Sequence, residues 1–350
     1  MKLSILLLVL RVLDKYSKSI DMAPLRSLGN PDFSPYDDVF CSTGADAEYV
    51  YPTFQSNGER GLFMGGNNGE NYLDYITISS TGNASDFGNL QTDITAGGGV
   101  SNKVRGAIGG GFNPSTMAQN VIQYVTIATT GNAQDFGDLT VGRDRLGAVS
   151  NLSRGCWGGG SGRNPGAFTS NTVDYVTLAS TGNAQDFGDL TVARERMMGG
   201  SSNGVRGAFW GTDGSNVIDY ITIPTTGNAT DFGDMNDNEE NSAACGNLTR
   251  GLCFGGGQGS TPTARNEIRY ITIATTGNSS DFGDMEAAYH KNGSCASDTR
   301  GITGGGLRGG GSGSNSDVIQ YVTIDTIGNA TDFGDLVQAT EYPAAASGDA

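Results

Sequence analysis

Hydrophobic positions in this chain come in short bursts with a period of two rather than in helical turns. In Val121–Ile127 (VIQYVTI) both alternating faces are apolar, Ile122 and Tyr124 on one, Val121, Val125 and Ile127 on the other. That is the pattern of a strand covered on both sides. The burst recurs with its tyrosine at Tyr75, Tyr124, Tyr175, Tyr220, Tyr270 and Tyr321, at intervals of 49, 51, 45, 50 and 51 residues. Each copy is followed by a near-constant tail, such as YVTIATTGNAQDFGDL, and preceded by an Arg-Gly pair beginning at Arg60, Arg105, Arg154, Arg206, Arg250 or Arg300.

The period has rigid parts and one elastic part. From the tyrosine to the Asp of DFG is 11 residues in all six copies, and from that Asp to the next Arg-Gly is 19 or 20. From Arg-Gly to the tyrosine the distance runs from 14 to 21. Turn signals divide each unit into four predicted strands. Strand a is of the type Arg143–Asn151, strand b of the type RGAFWG or RGCWGGG, strand c of the type VIQYVTI, and strand d is DFGDL, reached through a TTGNA hairpin. A sheet of about 49 residues that needs cover on both faces finds it when neighbours stack around a ring, so the expected fold is an all-β propeller of four-stranded blades.

The order R-x-x-x-x-A/S, apolar-Gly-Gly, a Tyr-bearing strand and an aromatic strand ending in Leu resembles the kelch repeat, with DFGDL where kelch units carry a Trp. The YxTIxTTGNAxDFGDL signature is similar to repeat proteins of marine cyanobacterial phages. The likeness spans residues 60 to 350. It implies a kelch-like propeller serving as a virion structural or tail-fibre component in host attachment, assembled in the host cytoplasm.

Six repeats are complete, and closure is ambiguous in the sequence. EYPAAASGDA (Glu341–Ala350) reads as a further strand a without its b, c and d, while Tyr36–Tyr51 aligns loosely with a degenerate c and d pair. A composite seventh blade built from both termini is the expectation, with six blades as the alternative. The division expected is an attachment segment over residues 1–35 and a propeller over 36–350. The apolar run Leu3–Leu10 has the length of a signal core but no small-residue cleavage site, and it is too short to span a bilayer. Signal peptide, docking helix and a start at Met22 all remain open for it.

Composition narrows the chemistry. Glycine supplies 56 residues and charged residues only 17%, which argues against bundles and coiled coils. A net charge of −16 repels a phosphate backbone, so nucleic acid is not an expected partner. His290 is the only histidine, which removes most nucleophilic triads, multi-histidine metal sites and the copper centre of galactose oxidase, whose ring is kelch-like. The five cysteines lack C-x-x-C spacing, and Cys156 and Cys253 stand where sister units carry apolar residues, as small core side chains.

Several motifs tempt and then fail. DFG suggests a kinase magnesium site, but no V-A-I-K or H-R-D segment accompanies it. The expectation is that its Phe packs between blades while Asp and Gly shape a turn, and that the Arg-Gly arginines form ion pairs between blades. The glycine runs lack the lysine and helix of a phosphate loop and read as flexible loops. Four of seven N-x-S/T sequons fall on the repeated TGNAxD hairpin, so repetition accounts for them.

All length freedom lies in the b-to-c loops, which share one rim with the d-to-a linkers. Binding favours a variable rim on a rigid scaffold. The candidates there are Phe112, Asn113, Arg163, Asn164, Phe168, Arg265 and Arg308, with Arg143, Arg145, Arg194 and Arg196 in the linkers. No catalytic residue, metal or cofactor is expected. Expected partners are other virion proteins through the N-terminal segment and a host receptor or glycan through the rim; a homo-oligomer is left open. The rival reading is a carboxylate-based glycan hydrolase on the same scaffold.

Overall fold

The computed structural model describes residues 58–349 except 68–69, 164–165, 198, 212–213, 259–262 and 310–312. The N-terminal segment and the Tyr36–Tyr51 pair therefore lie outside the described residues. Among the described residues every element is a strand, and the ladders are antiparallel. No helix among them is long and apolar enough to cross a membrane.

Six units follow the predicted order. In unit 2, for example, strand a is Gly98–Ser101, b is Arg105–Gly109, c is Val121–Thr126 and d is Gln134–Asp138, each paired with the next. Unit 1 has b, c and d at Arg60–Met64, Glu70–Thr77 and Ser85–Ile94, and takes its fourth strand from the other end of the chain. Ala344–Gly348 pairs with Arg60–Met64, Ala346 opposite Leu62. The terminal strand predicted from EYPAAASGDA is thus present, and it completes unit 1. Strands a of successive units lie side by side, and Ala344–Gly348 lies between those of units 6 and 2.

Cover for the two-faced strand c comes from the neighbours, as its pattern requires. Six apolar clusters each straddle one junction: Ile122 and Phe136 of unit 2 meet Trp157, Val176 and Leu178 of unit 3, and the cluster of Phe63, Ile76 and Ile78 joins Ile302, Ile319 and Phe333 of unit 6. Each DFG phenylalanine is buried and meets its own unit's tyrosine edge to face, ring centres 5.6 to 6.0 Å apart. The DFG segment itself is not a turn. It runs inside strand d at a bulge opposite strand c, where Asp186 Oδ1 accepts the Gly188 N–H at 3.1 Å. A Cβ on Gly188, at φ 143°, meets the Gly227 backbone of the next unit at 2.6 Å.

That close approach explains the constant hairpin. The Gly131 N–H donates to the Phe87 carbonyl and the Ala133 N–H to the Asn89 carbonyl of the preceding unit, at 2.7 and 2.8 Å. Asn183 Oδ1 accepts the Asp138 N–H at 3.1 Å, and Asn83 accepts that of Asp335 across the closure. The repeated asparagines are junction clips.

The Arg-Gly arginines correct the expectation of ion pairs. Arg154 stacks over Tyr175 of its own strand c at 4.6 Å and donates to the Ile223 carbonyl of the next unit at 3.0 Å; the other five repeat the arrangement. The ion pairs come instead from the linkers. Arg143 pairs with Asp174, Arg194 with Asp219 at 3.1 Å, and at the next junction the polarity reverses, Glu239 to Arg269 at 2.6 Å. All six side chains are buried, so each charge relies on its partner and its hydrogen bonds.

The glycine runs are also more ordered than expected at their start. Gly159 and Gly160 have φ of 65° and 93°, and a Cβ on Gly160 meets the Asp144 carbonyl at 2.7 Å. The paired glycines press the b-to-c loop onto its linker, and short ladders follow at Phe112–Asn113 with Met117–Ala118 and at Ser161–Gly162 with Phe168–Thr169.

Candidate functional site

Two places gather chemistry: the loop rim and the axis around which strands a lie. On the rim, Thr116, Met117, Ala118 and Asn120 from the loop of unit 2, Gly142 from the following linker and Arg163 from the loop of unit 3 line a cleft of about 430 Å³. Arg163 lies over the Phe112 ring at 5.5 Å. The Asn113 amide donates to the Asp93 carbonyl at 2.9 Å, and its Oδ1 accepts the Ser115 N–H, which fixes the loop base. Met117 is held at φ 69° and stays 41% exposed, an apolar side chain offered at the cleft.

The predicted rim residues therefore fall into two groups. Arg163 lines the cleft and lies over Phe112, while Asn113 is tied to the loop base. Arg265 and Arg308 both lie opposite Tyr289, at the junction of units 5 and 6, with Arg265 Nε 4.0 Å from Glu239. Phe168 is half-buried in its short ladder, and Asn164 lies outside the described residues. Arg143 and Arg194 are buried in their ion pairs and present nothing to a partner.

Along the axis, three residues of each strand a line a cavity of about 80 Å³. Glycine, alanine, serine, valine and cysteine make its wall, and no carboxylate stands in it. The serines tie neighbours together: Ser101 Oγ donates to the Ser347 carbonyl and Ser347 Oγ to that of Ala296, at 2.7 and 2.6 Å. Cys245 and Cys295 on this wall are free and buried, as are Cys156 and Cys253, and burial pushes the thiols of Cys156, Cys245 and Cys253 up to about 12.

Immediately before each strand a, one linker residue takes the left-handed conformation: Ala96, Arg145, Arg196, Asn241, Lys291 and Tyr342, at φ 54° to 64°. Each follows its anchor tyrosine by 21 residues. Only Arg145 and Arg196 were legible as candidates; the constant spacing with changing identity is the signal that marks the other four. Tyr342 packs under Lys291, whose Nζ lies 4.7 Å from the ring centre, and burial pushes its phenol up to about 12. The neighbouring His290 is fully buried, its ring nitrogens meet no hydrogen-bond partner, and burial beside Lys291 pushes it down to about 4. Comparison with known proteins finds no matching family model and no similar curated protein.

Proposed function

We propose that this chain is a non-enzymatic virion structural protein: a six-bladed, kelch-like β-propeller carried on a phage particle, attached through residues 1–35 and meeting a host surface or another virion protein through its loop rim. The count of six is supported by the cyclic order of strands a, with Ala344–Gly348 filling unit 1. The observation that carries the functional reading is the contrast between rims. Every junction is clipped by the same Asn, Gly and Arg contacts, while loop length and chemistry change freely from unit to unit. A frame so redundant leaves the loops to vary for recognition. The wall of the axial cavity, with no carboxylate, and the pairing of Glu240 with Arg196 and of Glu341 with Lys291 favour binding over a two-carboxylate hydrolase.

Exchanging Gly158–Asn171 for the short connection after Trp210 tests the reading. The ring stays folded, because loop length alters closure entropy by only ~0.6 kcal/mol per doubling and the exchange removes only local contacts with the linkers, such as those of Gly159 and Ser161, and adsorption to host cells or docking to a neighbouring virion protein weakens. Retention of every partner at full affinity overturns it. Deleting residues 1–22 leaves a folded β protein that no longer enters particles; unchanged incorporation refutes the attachment role.

A further inference from the structure

The rim cleft is lined by side chains that are held in place and left with donors to spare. Gln119 braces its lip: the side-chain amide donates to Thr116 Oγ1 at 2.8 Å and to the Met117 carbonyl at 2.7 Å. That bond occupies a lone pair of the Thr116 hydroxyl and leaves its own hydrogen to donate elsewhere. Met117, fixed at φ 69°, offers its thioether to the same cleft. The Asn120 carbonyl accepts the Leu139 N–H at 2.6 Å, while its exposed side-chain amide meets no partner among the described residues. A Cβ on Gly142 meets the Ala118 carbonyl at 2.9 Å, so the linker runs directly against the loop.

Arg163 lines this cleft from the next unit. Its side chain is exposed, with the guanidinium over the Phe112 ring at 5.5 Å. Among the described residues no carboxylate lies within ion-pair distance of it, and no carboxylate lines the cleft. Asp144, two residues beyond Gly142, is buried and accepts the Ser161 hydroxyl at 2.6 Å. Among the described residues no other b-to-c loop sets a cation over an aromatic ring of the neighbouring loop. The arrangement therefore occurs once in the ring.

We propose that the cleft between units 2 and 3 binds an acidic sugar, a uronate residue. The Arg163 guanidinium pairs with its carboxylate, the Thr116 hydroxyl and the Asn120 amide donate to its oxygens, and the Met117 thioether packs on its C–H face. The proposal rests on the reading of the loop rim as the recognition surface and names the ligand. A planar fork of N–H groups matches a carboxylate in two parallel hydrogen bonds. The volume of about 430 Å³ falls in the range of small-ligand sites. A phosphate dianion brings a second negative charge that nothing in the cleft offsets, on a chain of net charge −16. A neutral sugar displaces water from the guanidinium without supplying a counterion. A protein partner draws its affinity from large anchors seated in dry pockets, and here Met117 and Ala118 are the only apolar side chains of the lining.

Ligand-observed NMR titration of the full chain tests it, with glucuronate and galacturonate as probes against glucose and galactose. At least one uronate saturates a single site per chain, and its neutral counterpart binds at least ~10-fold more weakly, as expected for a charge-assisted contact. Arg163→Gln loses at least ~10-fold and Arg163→Lys loses less, while Thr116→Val loses about 3-fold, the scale of a single hydrogen bond. Lys103→Gln, at a distant turn, leaves the affinity unchanged. Saturation by neither uronate, or the same affinity in wild type and Arg163→Gln, overturns the proposal. If Arg163→Gln does not unfold with a wild-type-like transition, Thr116→Val decides, and an unchanged affinity there overturns it. The exchange of Gly158–Asn171 separates this from the wider reading. Weakened adsorption or docking without any uronate binding refutes the sugar and leaves the rim as a surface for a protein. Uronate binding by the wild type with adsorption and docking unchanged by the exchange refutes the role of the rim in attachment and leaves the sugar site standing.

Discussion

Asp74 occupies a strand-c position at which two other units form ion pairs, and among the described residues no cation pairs with it. In units 3 and 4 the same position of strand c holds Asp174 and Asp219, which meet Arg143 and Arg194. At the closure the facing linker position is Thr340, whose hydroxyl is buried and unpartnered. Asp74 is 8% exposed, accepts one N–H from Val337 at 3.1 Å and feels Asp86 as a like charge. Burial, the largest cause, raises its pKa to about 6. The unfolded chain ionises the same group near ~3.9. Because the folded pKa is the higher one, the group costs nothing below pH ~4, becomes destabilising as pH rises to about 6 and costs a constant amount above that. Two units at ~1.4 kcal/mol each make the penalty about 2–3 kcal/mol at neutral pH. Asp74→Asn keeps the acceptor for Val337 and removes the charge. Denaturant unfolding at pH 4, 5, 6 and 7.5 is expected to show no difference from wild type at the lowest pH and a gain of about 2–3 kcal/mol at the highest, with unchanged m. A difference independent of pH, or a variant less stable than wild type at pH 7.5, refutes the reasoning.

Three further outcomes follow from the packing. Phe232→Ala empties a site between Trp210 and Met235 on one side and Ile271 and Ile273 of the next unit on the other, and is expected to cost about 3–5 kcal/mol by denaturant unfolding; a loss under ~1 kcal/mol refutes its role at the junction. Arg143→Met leaves Asp174 buried without its cation and costs about 3–5 kcal/mol, while adding Asp174→Leu recovers most of it; equal losses in both variants contradict the pairing. Truncation after Glu341 removes the strand that closes unit 1, so the Leu62 and Phe63 amides lose protection from hydrogen exchange before those of Cys156 and Trp157; uniform protection contradicts closure through Ala344–Gly348.

The repeated frame was legible because its causes are local. Strand c announces cover on both faces through Ile122 and Val125, and turn glycines mark the strand ends. The junctions were harder, because they join residues that only a register brings together. Arg143 and Asp174 form a pair only once strand c of one unit is known to face the linker before it, and the reversed Glu239–Arg269 pair hides the pattern further. The Arg-Gly arginines misled for the same reason: the nearest repeated acid in sequence was not the nearest group in space. Ala344–Gly348 was readable as a strand a, but its pairing with Arg60–Met64 spans almost the whole repeat region, a separation at which no local signal names the partner. Of the rim candidates, Phe112 and Arg163 lie in contact, whereas the left-handed linker residues needed attention to spacing rather than residue type.

The proposal that this chain is a component of a phage particle is tested most directly by imaging purified particles for it. The account predicts six-bladed ring density at a tail, baseplate or capsid position, with the b-to-c loops pointing away from the particle or into a neighbouring protein and the N-terminal segment buried in the assembly. Particles that lack the chain altogether, or a ring seated on the particle by its loop rim with the TTGNA face outward and only that face touching the host, contradict it.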